Sequence, residues 1–293
     1  MSIDLSGHTG YNRLAVFAMR PAPLQVTWLG YGATTGLDRI DYVLTDAVST
    51  PVQDEAQYTE NVWRLPLPRL PFSPPHDAPE PASAPPAVAN GFITFGCFNN
   101  LAKLNPQVVS AWARILAGTP GSRLLLKSRH FDQPTARQAL LDGFASFGVA
   151  ADRIQLEGIE KRDRYFAAFE RMDIALDPFP FTGGMSTLDA LWMGVPVVSK
   201  RGDRMIGRQG EMVLGAVGLT DWLADDVEAY VAVAKARAAD RDGLVALRVS
   251  LRARVAAAPF AEPATYGKAL AEAVWAMWRE KAAAAGPGKP RAS

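Results

Sequence analysis

Between Phe92 and Lys200 short apolar runs and longer amphipathic runs take turns along the chain. "FITFGCF", "SRLLLKS", "RIQLEG", "DIALDPF" and "VPVVSK" read as strands. Between them "NPQVVSAWARILAGTPG", "PTARQALLDGFASFG", "RDRYFAAFERM" and "STLDALWMG" read as helices. The first of these helices has Asn105 as N-cap, Pro106 at its first position and Gly118 near its end. Parallel neighbours need a crossover connection, and that crossover is right-handed. The alternation therefore predicts a parallel sheet covered on both faces, an α/β Rossmann-like domain. The pattern alone carries it from about residue 90 to about 235.

Upstream, "PLPRLPFSPPHDAPEPASAPP" packs nine prolines between Pro66 and Pro86. Proline withholds backbone donors, so residues 66–90 are expected to be an extended linker. Residues 1–65 contain two strand candidates, "PLQVTWLGY" and "IDYVLTD", joined by the loop "GYGATTGLDR". They read as the later part of a second α/β unit whose opening elements are missing. Downstream, "LVALRVSLRARVAAA" and "PATYGKALAEAVWAMWREKAAA" read as helices, and "AAAAGPGKPRAS" as a disordered tail. The expected division is a partial first lobe (1–65), the linker (66–90), the Rossmann-like domain (91–255), a C-terminal helix (256–282) and the tail (283–293).

The 293 residues carry 31 basic and 30 acidic side chains, a net charge of +1. That balance supplies no attraction to nucleic acid or to an anionic membrane. No apolar run approaches the ~18–20 residues that span a bilayer. The start, "MSIDLSGHTGYNRL", lacks the pattern of a signal peptide. A single cysteine, Cys97, excludes an internal disulfide and fits a reducing compartment. The expectation is a soluble cytoplasmic protein.

The densest chemistry lies in "FTGGMSTLDALWMGVPVV", residues 181–198. Ligands of open α/β sheets sit beyond the carboxyl ends of strands, and this turn follows one such end. A helix start offers unpaired N–H groups and partial positive charge, which suit a phosphate. Gly183 and Gly184 let a ligand approach the backbone, Ser186 and Thr187 add hydroxyls, and Asp189 can accept from a ribose. A second reading stands beside this one: Ser186 and Asp189 resemble a capping box, and the glycines a plain tight turn. "CFNNLAKLNP" places Asn100 and Lys103 at the same edge, with Lys103 able to meet a diphosphate as a point charge or to remain a solvated loop lysine. Asp240-Arg241-Asp242 has the D-x-D spacing of metal-dependent sugar transferases, but at a helix start it reads as a cap. His8, His76 and His130 are dispersed without metal-ligand spacing, and no G-x-S-x-G elbow occurs.

Three stretches together, "RPAPLQVTWLGYGATTG…DYVLTD", "FGCFNNLAKLNPQVVSAWARIL" and "DIALDPFPFTGGMSTLDALWMGVPVVS", resemble the catalytic region of the O-linked N-acetylglucosamine transferases in their bacterial, SPINDLY-like form. The resemblance runs from about Ile3 to about Glu280. It implies a GT-B fold of two Rossmann-like lobes, with UDP-N-acetylglucosamine (UDP-GlcNAc) between them. It implies inverting, metal-independent transfer to protein Ser/Thr hydroxyls, with no cofactor beyond the UDP-sugar co-substrate. Motif by motif it assigns Lys103 to the diphosphate as the catalytic cation, with Asn100 a neighbouring polar contact. Ser186 and Thr187 fall at the phosphates through the helix start, with Gly183 and Gly184, and Asp189 at the ribose. Arg162 and Tyr165 fall where the family has a lysine and a uracil-stacking histidine. Leu29, Gly30, Thr34 and Thr35 fall in a loop facing sugar and acceptor. The last helix is expected to pack toward the first lobe, through a stripe of Leu270, Val274 and Met277.

The resemblance also marks departures. No tetratricopeptide repeats stand upstream, and the family's active-site histidine would lie at or before Met1. His8 lies nearby without matching it, and no general base is assigned. The chain is therefore expected to bind UDP and to transfer sugar slowly or not at all. The rival readings are a transferase using another UDP-sugar or a non-protein acceptor, a non-catalytic UDP-binding module, and a hydrolase or epimerase on the same architecture.

Overall fold

The structure, a computed structural model, describes residues 1–158 and 160–284. The chain divides into two units. One comprises Met1–Pro71, Arg204–Ile206 and the segment from Pro259 onward, the other Phe72–Asp203 and Gly207–Ala258.

In the first unit β1 (Ser2–Asp4), β2 (Gln25–Thr27), β3 (Tyr42–Asp46) and β4 (Asn61–Leu65) form a parallel sheet in chain order. The two strand readings correspond to β2 and β3, and β1 and β4 flank them. A five-residue helix, α1 (Leu14–Ala18), lies between β1 and β2, and residues 28–41 join β2 to β3 without a helix. The carboxyl end of β2 therefore opens into a long loop.

The second unit starts with α2 (Ala87–Asn90) and continues β5 (Thr94–Cys97), α3 (Pro106–Ala117), β6 (Arg123–Lys127), α4 (Pro134–Ala145), β7 (Ile154–Glu157), α5 (Arg162–Ala167) and β8 (Ile174–Leu176). It ends with α6 (Met185–Trp192), β9 (Val197–Lys200), α7 (Gln209–Ala216), β10 (Leu223–Ala224), α8 (Val227–Ala239) and α9 (Arg241–Ala256). Its sheet runs β10-β9-β8-β5-β6-β7, every pair parallel. From β5 the chain first builds outward through β6 and β7, then returns to the other side of β5 with β8. The order reverses between β5 and β8, the point at which this class of sheet opens a crevice.

Local chemistry explains the elements that flank this point. Asn105 caps α3 by accepting from Val108 N at 3.0 Å, and its amide donates to Phe179 O at 2.6 Å. α3 then buries Val108, Trp112, Ile115 and Leu116 at helical spacing. Each contributes roughly 1.5–3 kcal/mol of apolar burial.

The proline-rich stretch is not a separate tether. Leu67 and Leu70 are buried in the first unit, and Phe72 is buried in the second, edge-on to Trp192 at 5.7 Å. Arg252 donates to Pro79 O at 2.6 Å, and Asp173 accepts from Ala87 N at 2.8 Å. Prolines cannot donate, but their carbonyls still accept, so an extended run can be fastened by side chains of its neighbours.

The helix α10 (Pro263–Ala284) belongs to the first unit. Its buried face is Tyr266, Ala269, Ala273 and Met277, with Leu270 and Val274 half-exposed at its margin. The stripe is thus set about one position N-terminal to the expected one, and Trp275 and Trp278 face solvent. Tyr266 stacks near Trp28 at 6.2 Å and donates to Arg69 O at 2.8 Å. Lys281 pairs with Asp41 at 2.7 Å, and Tyr42 donates to Glu280 at 2.9 Å. Ala283 and Ala284 continue this helix, and the rest of the expected tail, 285–293, lies outside the described residues.

Candidate active site at the carboxyl edge of the second sheet

The loop after β5 and the loop after β8 meet at the reversal point. Lys103 comes from the first and Ser186 from the second, and one side chain joins them. Asn99 Oδ1 accepts from Lys103 Nζ at 3.0 Å and from Ser186 Oγ at 3.0 Å. Lys103 also donates to Thr182 O at 3.0 Å and stands 3.9 Å from the centre of the Phe181 ring. Burial pulls the pKa of the ammonium down, while Asp177 and Cys97 push it back up. Asn99 escaped the sequence reading, which chose Asn100. Only the pairing of two adjacent asparagines with a lysine four residues on hinted at it. Asn100 is exposed, and its side chain caps the short turn 101–103 by accepting from Ala102 N at 3.0 Å.

The turn itself differs from its expected use. Gly183 is buried, and a Cβ there would stand 2.4 Å from Thr187 Oγ1 and 2.7 Å from Asp177 Oδ1 and Ser186 Oγ. The glycine makes room for the protein's own polar groups rather than for a ligand. Its N–H donates to Asp177 at 3.2 Å. The Thr187 hydroxyl is buried too and donates to Asp177 at 3.1 Å, so only the Thr187 backbone N–H faces the helix start. Ser186 and Asp189 form no capping box, since Ser186 lies inside α6 and donates to Asn99. Gly184 occupies the N-cap position, and among the described residues no side chain caps this helix. Leu188 makes the bond to Gly184 O at 3.1 Å, leaving the N–H groups of residues 184–187 without a helical acceptor. An uncapped helix start beside a lysine offers the charge and the free donors that could hold an anion.

Beside it lies a cavity of about 440 Å³, lined among others by Phe98, Asn100, Lys127, Arg129, Arg162 and Tyr165. Tyr165 packs on Phe98 at 5.9 Å and donates to Asp189 at 3.0 Å. Burial pushes the Asp189 carboxyl up to about 6, against the pull of Tyr165 and Arg162. Burial, then Asp189, raises the Tyr165 phenol well above its ordinary value. Arg162 is exposed and pairs with Asp77 at 3.0 Å. Lys127, on β6, is buried and pairs with Glu157 at 3.2 Å and Glu160 at 2.5 Å. Neither Lys127 nor Arg129 stood out in sequence, because a strand-end lysine looks like any solvated one.

In the first unit the loop after β2 is held in an unusual shape. Leu29 has φ +65°, rare for a branched side chain, and a Cβ on Gly30 would lie 2.3 Å from the Ser6 carbonyl carbon. Thr34 Oγ1 and Thr35 N both donate to the buried Glu60 at 2.7 Å. His8 Nε2 lies 3.1 Å from Thr34 O, and since a carbonyl only accepts, that nitrogen carries the proton. Glu60 was not foreseen.

The remaining sequence candidates have structural roles. Asp240 caps α9 by accepting from Gly243 N at 2.9 Å. Among the described residues no group of three or more His, Cys, Asp or Glu side chains is arranged to hold a metal. Cys97 is buried, which pushes its thiol up to about 12 and makes it a poor nucleophile. No helix is long and apolar enough to cross a membrane, among the residues described.

Two units built on parallel sheets, the second with an uncapped helix start at the sheet's reversal point, place the chain among the GT-B glycosyltransferases. The sucrose-phosphate synthase of Thermosynechococcus elongatus shares this fold, with a TM-score of 0.55 at 20% identity over 84% of this chain and 59% of that one. An O-GlcNAc transferase mutant of Thermobaculum terrenum is much more similar: TM-score 0.91, 36% identity, 97% of this chain and 54% of that one. The sequence model of glycosyl transferase family 41 matches residues 1–68 and 85–270, and the chain belongs to that family. The probable UDP-N-acetylglucosamine--peptide N-acetylglucosaminyltransferase SPINDLY of Oryza sativa subsp. japonica is 41% identical over 278 residues. That match covers 94% of this chain and 30% of the relative, so the chain spans under a third of that protein's length.

Proposed function

We propose that this chain carries the donor-binding part of a protein O-glycosyltransferase that moves N-acetylglucosamine from UDP-GlcNAc to Ser/Thr hydroxyls of a protein or peptide. One observation carries the reading: Lys103 and Ser186 converge on Asn99 at the uncapped start of α6. The names of the relatives support the choice of donor and acceptor. The acceptor oxygen attacks the anomeric carbon from the face opposite the diphosphate, and the configuration inverts. The bond from that carbon to the diphosphate oxygen breaks, UDP leaves with the electron pair, and the proton of the acceptor hydroxyl is released to the departing diphosphate or to solvent. Lys103 and the N–H groups at 184–187 meet the charge that develops on the leaving oxygen. They supply the electrostatic stabilisation that a divalent cation would otherwise give, so the reaction is read as metal-independent and without a cofactor. Asn100, Arg162 and Tyr165 border the cavity read as the uridine site, and Asp189 accepts from the ribose. Leu29, Gly30, Thr34 and Thr35 are read as the acceptor-side loop. The balanced charge fits a cytoplasmic protein without affinity for nucleic acid or membranes.

The test is calorimetric titration with UDP and a panel of sugar nucleotides, followed by transfer assays on peptides with the same panel. UDP and UDP-GlcNAc should bind, and Lys103→Ala should weaken UDP by roughly ten- to hundredfold, the size of a charge-assisted hydrogen bond. Unchanged affinity in that variant removes Lys103 from the site. Transfer by this chain alone is expected to be slow or undetectable, so binding carries the test, and a chain that binds none of the sugar nucleotides overturns the reading.

A further inference from the structure

Asp177 follows β8 directly, only 2% exposed, and the transfer step does not use it. Its carboxylate accepts from Gly183 N at 3.2 Å, Thr187 Oγ1 at 3.1 Å and Ser199 Oγ at 2.9 Å. These donors come from three places: the turn, the first turn of α6, and β9. The backbone of Asp177 is fixed as well. Its N–H donates to Val198 O at 2.9 Å, and its carbonyl accepts from Tyr230 at 2.8 Å. Tyr230 in turn accepts from Trp112 Nε1 at 3.1 Å. Two glycines clear the space, since a Cβ on Gly210 would lie 2.8 Å from Asp177 Oδ2, much as one on Gly183 would crowd Oδ1. A single peptide unit, Thr182–Gly183, is gripped at both ends: Lys103 holds its carbonyl and Asp177 its N–H.

We propose that Asp177 is the positioning residue of the diphosphate site, its buried carboxylate holding the Thr182–Gly183 peptide and the start of α6 in register with Lys103. The proposal rests on the reading of that turn as the diphosphate site. A carboxylate suits the task because it accepts from all three donors with no proton of its own to place. The charged and titratable groups facing it are Lys103 from the loop after β5, Cys97 on β5 and Tyr230 on α8. Burial pushes its pKa up to about 6, against the pull of Ser199, Lys103, Thr187 and Gly183. It is therefore ionised at neutral pH and gains a proton in mild acid. Once protonated, one oxygen must donate where it now accepts, and the grip on the turn loosens.

The probe is UDP-GlcNAc, whose diphosphate is a diester and does not titrate near pH 6, unlike a terminal phosphate. Asp189 titrates in the same range, so the full chain is measured in an Asp189→Asn background between pH 5 and 8. Affinity should fall about tenfold from pH 7 to pH 5, in line with loss of a hydrogen bond to a charged group. Adding Asp177→Asn should weaken binding about tenfold at pH 7 by the same reasoning and leave the profile flat. A purely structural role would lower the unfolding temperature without removing the slope. The proposal is overturned by a flat profile before Asp177 is changed, or by Asp177→Asn with affinity and slope intact. Should Asp177→Asn not fold, Thr187→Val and Ser199→Ala decide, each expected to weaken binding severalfold and both overturning the idea if neither does. A wild-type chain that binds neither UDP nor UDP-GlcNAc at any pH overturns the donor-site reading itself.

Discussion

Asp189 shows how a candidate site residue can cost the fold something. Its carboxyl is pushed up to about 6 from an ordinary 3.8, chiefly by burial, and Asp177 is raised to the same value. A raised carboxyl binds its proton more tightly in the folded state. The stability it contributes is complete below its unfolded pKa of about 4 and is lost as pH rises through about 6. Asp41 and Glu157, whose pKa values are lowered on balance, behave oppositely and lose their contribution only as pH falls below about 4. Between pH 4 and pH 6 the thermal midpoint should therefore fall with rising pH. Asp189→Asn should flatten that fall by a few degrees, roughly the effect of a kcal/mol or so in a chain of this size. Calorimetric scans at pH 4, 5, 6 and 7 check this, and an unchanged slope would mean that Asp189 is better solvated than its surroundings imply.

At the scale of elements, α10 offers the sharpest contrast between spacing and packing. Its apolar residues cover more than one face, and spacing alone favoured Leu270, Val274 and Met277. Packing instead selects Tyr266, Ala269, Ala273 and Met277, because small alanines let the helix approach while Tyr266 reaches the carbonyls of Pro68 and Arg69. Met277→Ala should destabilise the chain by about 2–5 kcal/mol, the range for a buried methionine. Trp275→Ala, at a side chain 64% exposed, should stay within about 0.5 kcal/mol. Urea unfolding of the two variants gives both numbers, and the reverse order would place the helix on its other face.

At the scale of the molecule, the second unit has its own six-stranded sheet, its own core, and every residue named for the proposed nucleotide site. A fragment running from Phe72 to Ala258 should fold cooperatively and bind UDP within about tenfold of the full chain, a difference of ~1.4 kcal/mol. Circular dichroism and calorimetry on the fragment check this, and an unfolded fragment would show that the first unit is required for the second.

The sequence by itself determined the alternating architecture, the family, and the sheet edge that carries the candidate site. Hydrophobic period, caps and glycine turns are local signals, written within a few residues of where they act. Lys103 and Ser186 could each be picked out because an isolated lysine and a glycine–hydroxyl turn carry meaning on their own. The tertiary structure decided which neighbours these groups would have. Asn99 rather than Asn100 joins them, Thr187 turns inward, and Gly183 makes room for Asp177, because the reversal of strand order brings β5 beside β8 across 79 residues of chain. Likewise, nothing local in "LDPFPFTGG" announces that its carboxylate will be buried. That follows only when α7, α8 and β9 close around it, and burial in turn changes what its proton does.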